Sequence, residues 1–483
     1  MEVDGVFLRY ATHAQMKGPN EQRTISREDL GFYHAVIIGA IYERGNGPAI
    51  RSPQSLFGPL ARCIEQHPFL GVTVGDRHTD KSFYQRVHMV DLNDHIEIKE
   101  LPISTKLERW NAIEELQRSN LDRPFNHTIP PWRIIILPLS NSETFIAFAW
   151  SHMIGDGLSG ISLHQSLLEA IRGSSDLASD APSTVKPPQV ALGLPFDTPH
   201  RLPISWSFLL GPLVAVFFPK FISDWLGLKA QASTLDEGTW TGSPAAFAGD
   251  KSRTKIALRV VESPLVDRAL CQAKTHDAKL MGLLHQFIGR GMSKAFGEVN
   301  VTNFVSQTAI NMRKSVGVPS DEMGEFVSAT YLVHPKLTSA GPLSDAEWLA
   351  ASSSTKSFAE TAATLQDQPI GLLRYLPSVR KWLLSKLGQR RDCSHEVSNV
   401  GAFEGATRDG EKKPTITHVV FSQPGHVSSA PICFNISSVK QGPLVYTVTW
   451  PTGALGIPEA EEDAVVDTIC TSIQADFEAI GLM

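Results

Sequence analysis

His152-Met153-Ile154-Gly155-Asp156-Gly157 spells H-x-x-x-D-G and directly follows an apolar run, Phe145 to Trp150. Imidazole is the side chain that gains and loses a proton near neutral pH, which makes histidine the common general base. Here one histidine stands at the end of a buried strand, with a carboxylate shortly after it and two glycines that let the chain turn sharply. A base held rigidly in this way could take the proton of a bound hydroxyl, an effect of about 10²- to 10⁴-fold on a rate. A short motif of this kind also arises by chance, and a histidine at a turn is often only structural. The rest of the chain decides its weight.

The flanking residues read as alternating helices and strands. Residues 29–42 read as a helix and 53–65 as an amphipathic helix, whereas 70–74, 83–87 and 95–98 read as strands. Residues 106–120 form a further helical pattern. Residues 132–138 and 144–150 are β-rich and separated by Ser140-Asn141-Ser142-Glu143, a hairpin signature. A helix over 158–172 follows, so the histidine motif lies on a strand-to-helix turn. Residues 173–203 are rich in Ser, Pro, Ala and Asp and read as a linker.

Next comes an apolar segment, 206–226, broken by Pro212, Pro219 and Lys220. A membrane-spanning helix needs about 20 consecutive, predominantly apolar residues, and no run here approaches that. The segment reads as a buried or tunnel-covering helix pair, or else as a hairpin lying on a membrane surface. A second αβ region begins at 254. Its strands are expected at 254–261, 301–310, 326–333, 397–400, 416–421, 432–439 and 444–450. Its helices are expected at 263–275, 280–295, 345–365, 370–387 and 458–480. The division along the chain is thus 1–175, a linker over 176–253, and 254–483.

A chain of 483 residues is too long for one ordinary core. Hydrophobic content of 42% and charged content of 19% describe a globular protein. The net charge of −6 leaves no basic footprint for nucleic acid. Cys63, Cys271, Cys393, Cys433 and Cys470 are scattered, odd in number, and show no C-x-x-C or zinc spacing. They read as reduced thiols of an intracellular protein, and no metal site is expected. Met1-Glu2-Val3-Asp4 is acidic and lacks the apolar region of a signal peptide. The expected location is the cytoplasm, with peripheral contact to an intracellular membrane if 206–226 supplies it.

An H-x-x-x-D-G turn ending a strand, a long linker and an αβ second half together resemble the chloramphenicol-acetyltransferase-like superfamily. That group includes plant acyl-CoA-dependent (BAHD) acyltransferases, peptide-synthetase condensation domains and alcohol O-acetyltransferases. Asn311-Met312-Arg313 looks like the superfamily's asparagine-arginine strand end. Gly324-Glu325-Phe326-Val327-Ser328 is similar to its glycine-phenylalanine strand start. Ser398-Asn399-Val400-Gly401 is similar to the serine-asparagine-x-glycine strand of the fungal alcohol acetyltransferase branch. Condensation domains usually carry two adjacent histidines, and Ser151 stands where the first would be. The aspartate-phenylalanine-glycine-tryptophan loop of plant members is not found. The alcohol acetyltransferase branch is the nearest resemblance.

The resemblance implies an α/β (α+β) fold of two subdomains with mixed, mostly antiparallel sheets around a central tunnel. It implies direct transfer of an acyl group, acetyl first, from acetyl-CoA to a hydroxyl of a hydrophobic alcohol. No cofactor would be bound, no metal would be needed, and the enzyme would act as a monomer. His152 would be the general base. Asp156, tempting as a triad partner, would instead turn away and pair with Arg313, with Gly155 and Gly157 shaping the turn. Ser398 and Asn399 would line the tunnel opposite His152, where a hydroxyl or amide could hold an oxyanion. Arg380, Lys381, Lys386, Arg390 and Arg391 read either as a solvated face or as contacts for coenzyme A phosphates. His34, His285, His395 and His418 read as core or surface histidines.

Rival readings remain. Gly155-Asp156-Gly157-Leu158-Ser159-Gly160 matches G-x-G-x-x-G, but a dinucleotide site would need a parallel strand after the helix, where the linker stands. No G-x-S-x-G elbow and no P-loop is present. A condensation-type enzyme with a carrier-protein-bound donor, and a non-catalytic ligand-binding descendant of the fold, complete the alternatives.

Overall fold

The computed structural model describes residues 7–10, 18–47, 50–173, 181–210, 235–249, 253–297, 300–338, 341–405 and 413–481. In chain order its first half holds β1 (Phe7–Tyr10), α1 (Pro19–Asp29), β2 (Ala35–Glu43), α2 (Phe57–Gln66), β3 (Val72–Gly75), β4 (Phe83–Arg86), β5 (Val90–Asp91), β6 (Ile96–Ile98), α3 (Lys106–Leu121), β7 (Trp132–Pro138), β8 (Glu143–Ser151), α4 (Gly157–Arg172) and β9 (Thr184–Val185). The second half holds β10 (Thr254–Val261), α5 (Ser263–Thr275), α6 (Leu280–Ala295), β11 (Asn303–Asn311), β12 (Val327–Pro335), α7 (Asp345–Ala363), α8 (Val379–Ser385), β13 (His395–Phe403), β14 (Thr415–Ser422), β15 (Cys433–Val439), β16 (Leu444–Pro451) and α9 (Glu462–Ala479).

Two large sheets carry the molecule. The first has the order β14-β2-β8-β7-β6 and the second β10-β16-β15-β13-β11-β12. Their pairing is mixed and mostly antiparallel, with parallel neighbours at β6/β7, β11/β13 and β13/β15. Strand β14 follows β13 in the chain but crosses to the first sheet, where it pairs antiparallel with β2. It stays tied to the second sheet through side chains: Ser437 Oγ donates to the Val419 carbonyl and Thr447 Oγ1 to the Phe421 carbonyl, each at 2.7 Å. A core of Ile37, Ile135, Ile256, Val420 and Val445 fills the seam between the halves. Burying each such side chain stabilises by about 1.5–3 kcal/mol, so the seam is held by apolar packing as well as by the shared strand.

Residues 29–42 are not one helix. α1 ends at Asp29, and the chain turns through Gly31 before β2 begins at Ala35. The run Val36-Ile37-Ile38 is β-branched and buried on both faces, so it shows no two-residue alternation to mark it as a strand. α1 is unusual in the other sense, because its polar residues Asn20, Gln22, Arg27 and Glu28 are buried. Residues 370–387 are likewise interrupted: a short 3₁₀ turn, Pro369–Tyr375, and α8 are separated at Pro377, which cannot continue a helix.

Among the described residues no helix is long and apolar enough to cross a membrane. Most of the apolar segment 206–226 lies outside the described residues.

Candidate active site

Strand β8 delivers His152. Ser151, its last residue, pairs with Ala35 of β2, and the chain then makes a 3₁₀ turn over His152–Ile154. The Ser151 hydroxyl donates to the buried carboxyl of Glu28 on α1 and accepts from the Met153 N–H. Burial pushes the Glu28 carboxyl up to about 8. Gly155 and Gly157 are set by space. A Cβ on Gly155 would come within 2.5 Å of Ser159 Oγ, and one on Gly157 within 3.0 Å of Val400.

Asp156 fastens the turn to the second sheet. Arg313 grips it with two parallel hydrogen bonds of 2.8 Å, and the Phe326 N–H donates to it at 3.0 Å. Its Oδ1 also accepts from the Ser159 N–H and so caps α4. Burial alone would raise this carboxyl, but the Arg313 charge and these hydrogen bonds outweigh it and hold it below its usual value. Backbone bonds complete the clamp, with Asp156 N–H donating to the Gly324 carbonyl at 3.1 Å. Gly324 sits at φ +146°, a conformation only glycine adopts readily.

This clamp aims the next residue at the imidazole. Glu325 Oε1 lies 2.5 Å from His152 Nδ1, and its other oxygen accepts from Asn20 Nδ2 at 3.2 Å. The Glu325 side chain is 2% exposed and that of His152 is 14% exposed, so the imidazole is reachable while its partner is sealed. A carboxylate accepts, so Nδ1 carries the hydrogen and the free lone pair lies at Nε2. The edge of the Tyr33 ring meets the imidazole at 5.6 Å. Tyr33 in turn donates to Gln423, which donates to Glu396 at 3.0 Å, while Arg27 lies over the Tyr33 ring at 4.1 Å. Glu396 is held at about 2 although burial would raise it, because His426 and Arg27 face it.

The alcohol acetyltransferase family model matches residues 110–190 and 346–471. The first stretch contains the whole histidine turn, and the second contains Ser398 and Asn399. These two stretches are similar to the alcohol acetyltransferase family. A probable alcohol acetyltransferase, crmB of Aspergillus fumigatus, is 22% identical over 91% of this chain and 95% of its own length. The trichothecene 15-O-acetyltransferase TRI3 of Fusarium sporotrichioides superposes with a TM-score of 0.67 at 13% identity, covering 99% of this chain and 98% of that one. A starter condensation domain of rhizomide synthetase, solved with C8-CoA and Leu-SNAC, superposes at 0.59 with 11% identity, covering 97% and 96%. The fold is therefore that of the condensation and chloramphenicol-acetyltransferase-like proteins.

The other residues read from the sequence lie as follows. Ser398 shares a strand face with Glu396, half-buried, on the side where β13 approaches α4. Asn399 lies on the opposite face and is exposed. Its Nδ2 rests on Met281 Sδ at 3.6 Å and its Oδ1 accepts from the Gly401 N–H. The structure thus turns Ser398 toward the half that bears His152 and Asn399 away from it. Among the basic residues, Arg380 pairs with Asp29 and Lys386 with Asp392, while Arg390 and Arg391 donate to backbone carbonyls such as those of Thr239 and Ser429. These four hold protein loops. After α4, the short β9 pairs only with β5, antiparallel, so the described residues contain no βαβ unit behind the G-x-G-x-x-G match.

Sequence reading missed Glu325, Asn20 and Tyr33. The available signal was a carboxylate set between Gly324 and Phe326 just before a strand.

Proposed function

We propose that this chain is an acyl-CoA-dependent O-acyltransferase that moves an acetyl group from acetyl-CoA to a hydroxyl of a hydrophobic alcohol. The contact between His152 Nδ1 and Glu325 Oε1 carries the reading. It leaves Nε2 as the basic atom on a rigid turn. Nε2 takes the acceptor's hydroxyl proton as the oxygen attacks the thioester carbonyl. The tetrahedral intermediate then collapses, the carbon–sulfur bond breaks, and the imidazolium returns the proton to the thiolate. The products are an ester and free coenzyme A, with no acyl-enzyme. Glu325 fixes the tautomer and faces the charge that develops on the imidazolium. Ser398 is the candidate donor to the oxyanion, on the face of β13 that approaches α4. Asp156 and Arg313 position the turn and do not touch substrate.

The similarity to alcohol acetyltransferases over two stretches, the acetyltransferases crmB and TRI3 among the similar proteins, and a C8-CoA complex in the same fold all support this chemistry. Trp206 and Leu210, at the described start of the apolar segment, are 75% and 50% exposed. They suit an apolar acceptor or a membrane surface beside the protein. A carrier-protein donor is disfavoured because Ser151 replaces a first histidine and its hydroxyl is committed to Glu28.

The test is thiol release from acetyl-CoA across a panel of apolar alcohols, sugars and amines, with a phosphopantetheinyl-protein donor run in parallel. An apolar alcohol is expected to give the fastest release with acetyl-CoA. A sugar or amine that outperforms every apolar alcohol would overturn the acceptor class, and transfer only from the carrier protein would overturn the donor.

A further inference from the structure

Three histidines from distant parts of the chain converge on the other face of the second sheet. His285 comes from α6, His334 from β12 and His395 from the start of β13, and one ring nitrogen of each lies within 4.8 Å of the others. They are 1%, 7% and 1% exposed. The His285 and His334 rings stack at 5.2 Å, and the His395 ring closes the triangle at 6.3 and 5.9 Å. Two hydroxyls of β11 engage one ring nitrogen each: Ser306 Oγ lies 2.8 Å from His334 Nε2, and Thr308 Oγ1 lies 3.2 Å from His285 Nε2. His285 Nδ1 and both ring nitrogens of His395 are buried with no hydrogen-bond partner. Buried polar atoms without partners are rare and costly, and here three of them gather in one place.

We propose that His285, His334 and His395 form a binding site for a divalent transition-metal ion, zinc first. Neutral imidazole is the form that ligates, and burial keeps these rings neutral. Zinc holds its nitrogens at about 2.0–2.1 Å in a tetrahedron, so ring nitrogens settle about 3.3 Å apart. Binding would draw the nitrogens, now within 4.8 Å of one another, in to that spacing. Ser306 and Thr308 do what second-layer partners do at such sites, fixing the ring orientation through the nitrogen that does not ligate. Among the described residues the cluster holds no carboxylate or thiol, so water or hydroxide takes the fourth position. Phe358 and Phe434, with ring centres 5.0 Å from His285 and 6.0 Å from His395, give the site an apolar wall.

The site is separate from the catalytic turn. His395 precedes Glu396, and the strand alternation sends Glu396 to the face that carries Gln423 and Tyr33. A metal here would tie α6 to β12 and β13, the strand that bears Ser398, without entering the reaction. Local spacing rules could not find it, because no two of its ligands are neighbours in sequence.

The full chain, stripped with EDTA and dialysed, is titrated with zinc chloride and separately with cobalt chloride. The expected result is one zinc retained per chain after gel filtration, a higher Tm with zinc than without, and the visible bands of a four-coordinate cobalt ion. His334→Gln and His395→Gln should each lose the retained zinc and the cobalt bands, whereas His152→Ala keeps both. The wild-type titration decides even if a glutamine variant fails to fold. Wild-type protein that retains no zinc and gains no Tm would overturn the site, as would unchanged retention and cobalt bands in both glutamine variants.

Discussion

Glu325 and His152 are 173 residues apart in the chain, yet Glu325 Oε1 meets His152 Nδ1 at 2.5 Å. One residue follows the Gly324 bend that leads into β12, and the other directly follows β8 at the start of a 3₁₀ turn. Their meeting depends on the Asp156 clamp, since Asp156 binds the residues on either side of Glu325. The histidine–carboxylate pair is therefore assembled by the joining of the two halves. Glu325 acts through His152, so its loss should lower kcat and leave KM nearly unchanged. Glu325→Ala is expected to cost about 10²- to 10⁴-fold in kcat. Glu325→Gln, whose amide oxygen can still accept from Nδ1–H, should recover part of that. Steady-state kinetics of the two variants check it, and a change confined to KM would contradict it.

Breaking the Asp156–Arg313 pair should damage stability before chemistry. Removing one partner leaves a buried charge, at about 3–5 kcal/mol. Asp156→Ala and Arg313→Ala should each lower the urea midpoint strongly. The double variant should lose clearly less than the sum of the two, because neither orphaned charge remains. Additive losses would show that the two side chains act independently.

Acid should destabilise the fold through its buried histidines. His164 sits between the Ile38 carbonyl at 2.9 Å and the Tyr42 hydroxyl at 2.8 Å, and burial pushes it down to about 4. An unfolded histidine titrates near about 6.5. Between these values the unfolded chain binds more protons, so the contribution is complete above about pH 6.5 and declines as pH falls toward 4. It reaches about 3 kcal/mol for His164. Urea midpoints at pH 7 and pH 4.5 should differ less in His164→Asn than in the wild type.

The elements with a strong local signature were legible in the sequence. The β7–β8 hairpin showed itself through a polar gap between two apolar runs, and α3 and α4 through helical spacing. The histidine turn was legible because strand, turn and helix are contiguous. β2 was not, because a strand buried on both faces carries no alternation and its apolar run reads equally as helix. The crossing of β14 was hidden for another reason, since which sheet a strand joins is set by distant partners. Glu325 was quoted within its motif but its role was not visible, because only the tertiary clamp turns it toward His152. Asn399 was misleading in the opposite way: it shares a motif with Ser398, yet strand alternation sends the two side chains to opposite faces.

His152 carries the central claim. The most direct test is coenzyme A release from acetyl-CoA with the best alcohol acceptor, measured for wild type beside a His152→Ala variant that melts at the same temperature. A loss of about 10²- to 10⁴-fold in kcat is the predicted result. Activity within a few-fold of wild type would contradict the claim that His152 is the general base.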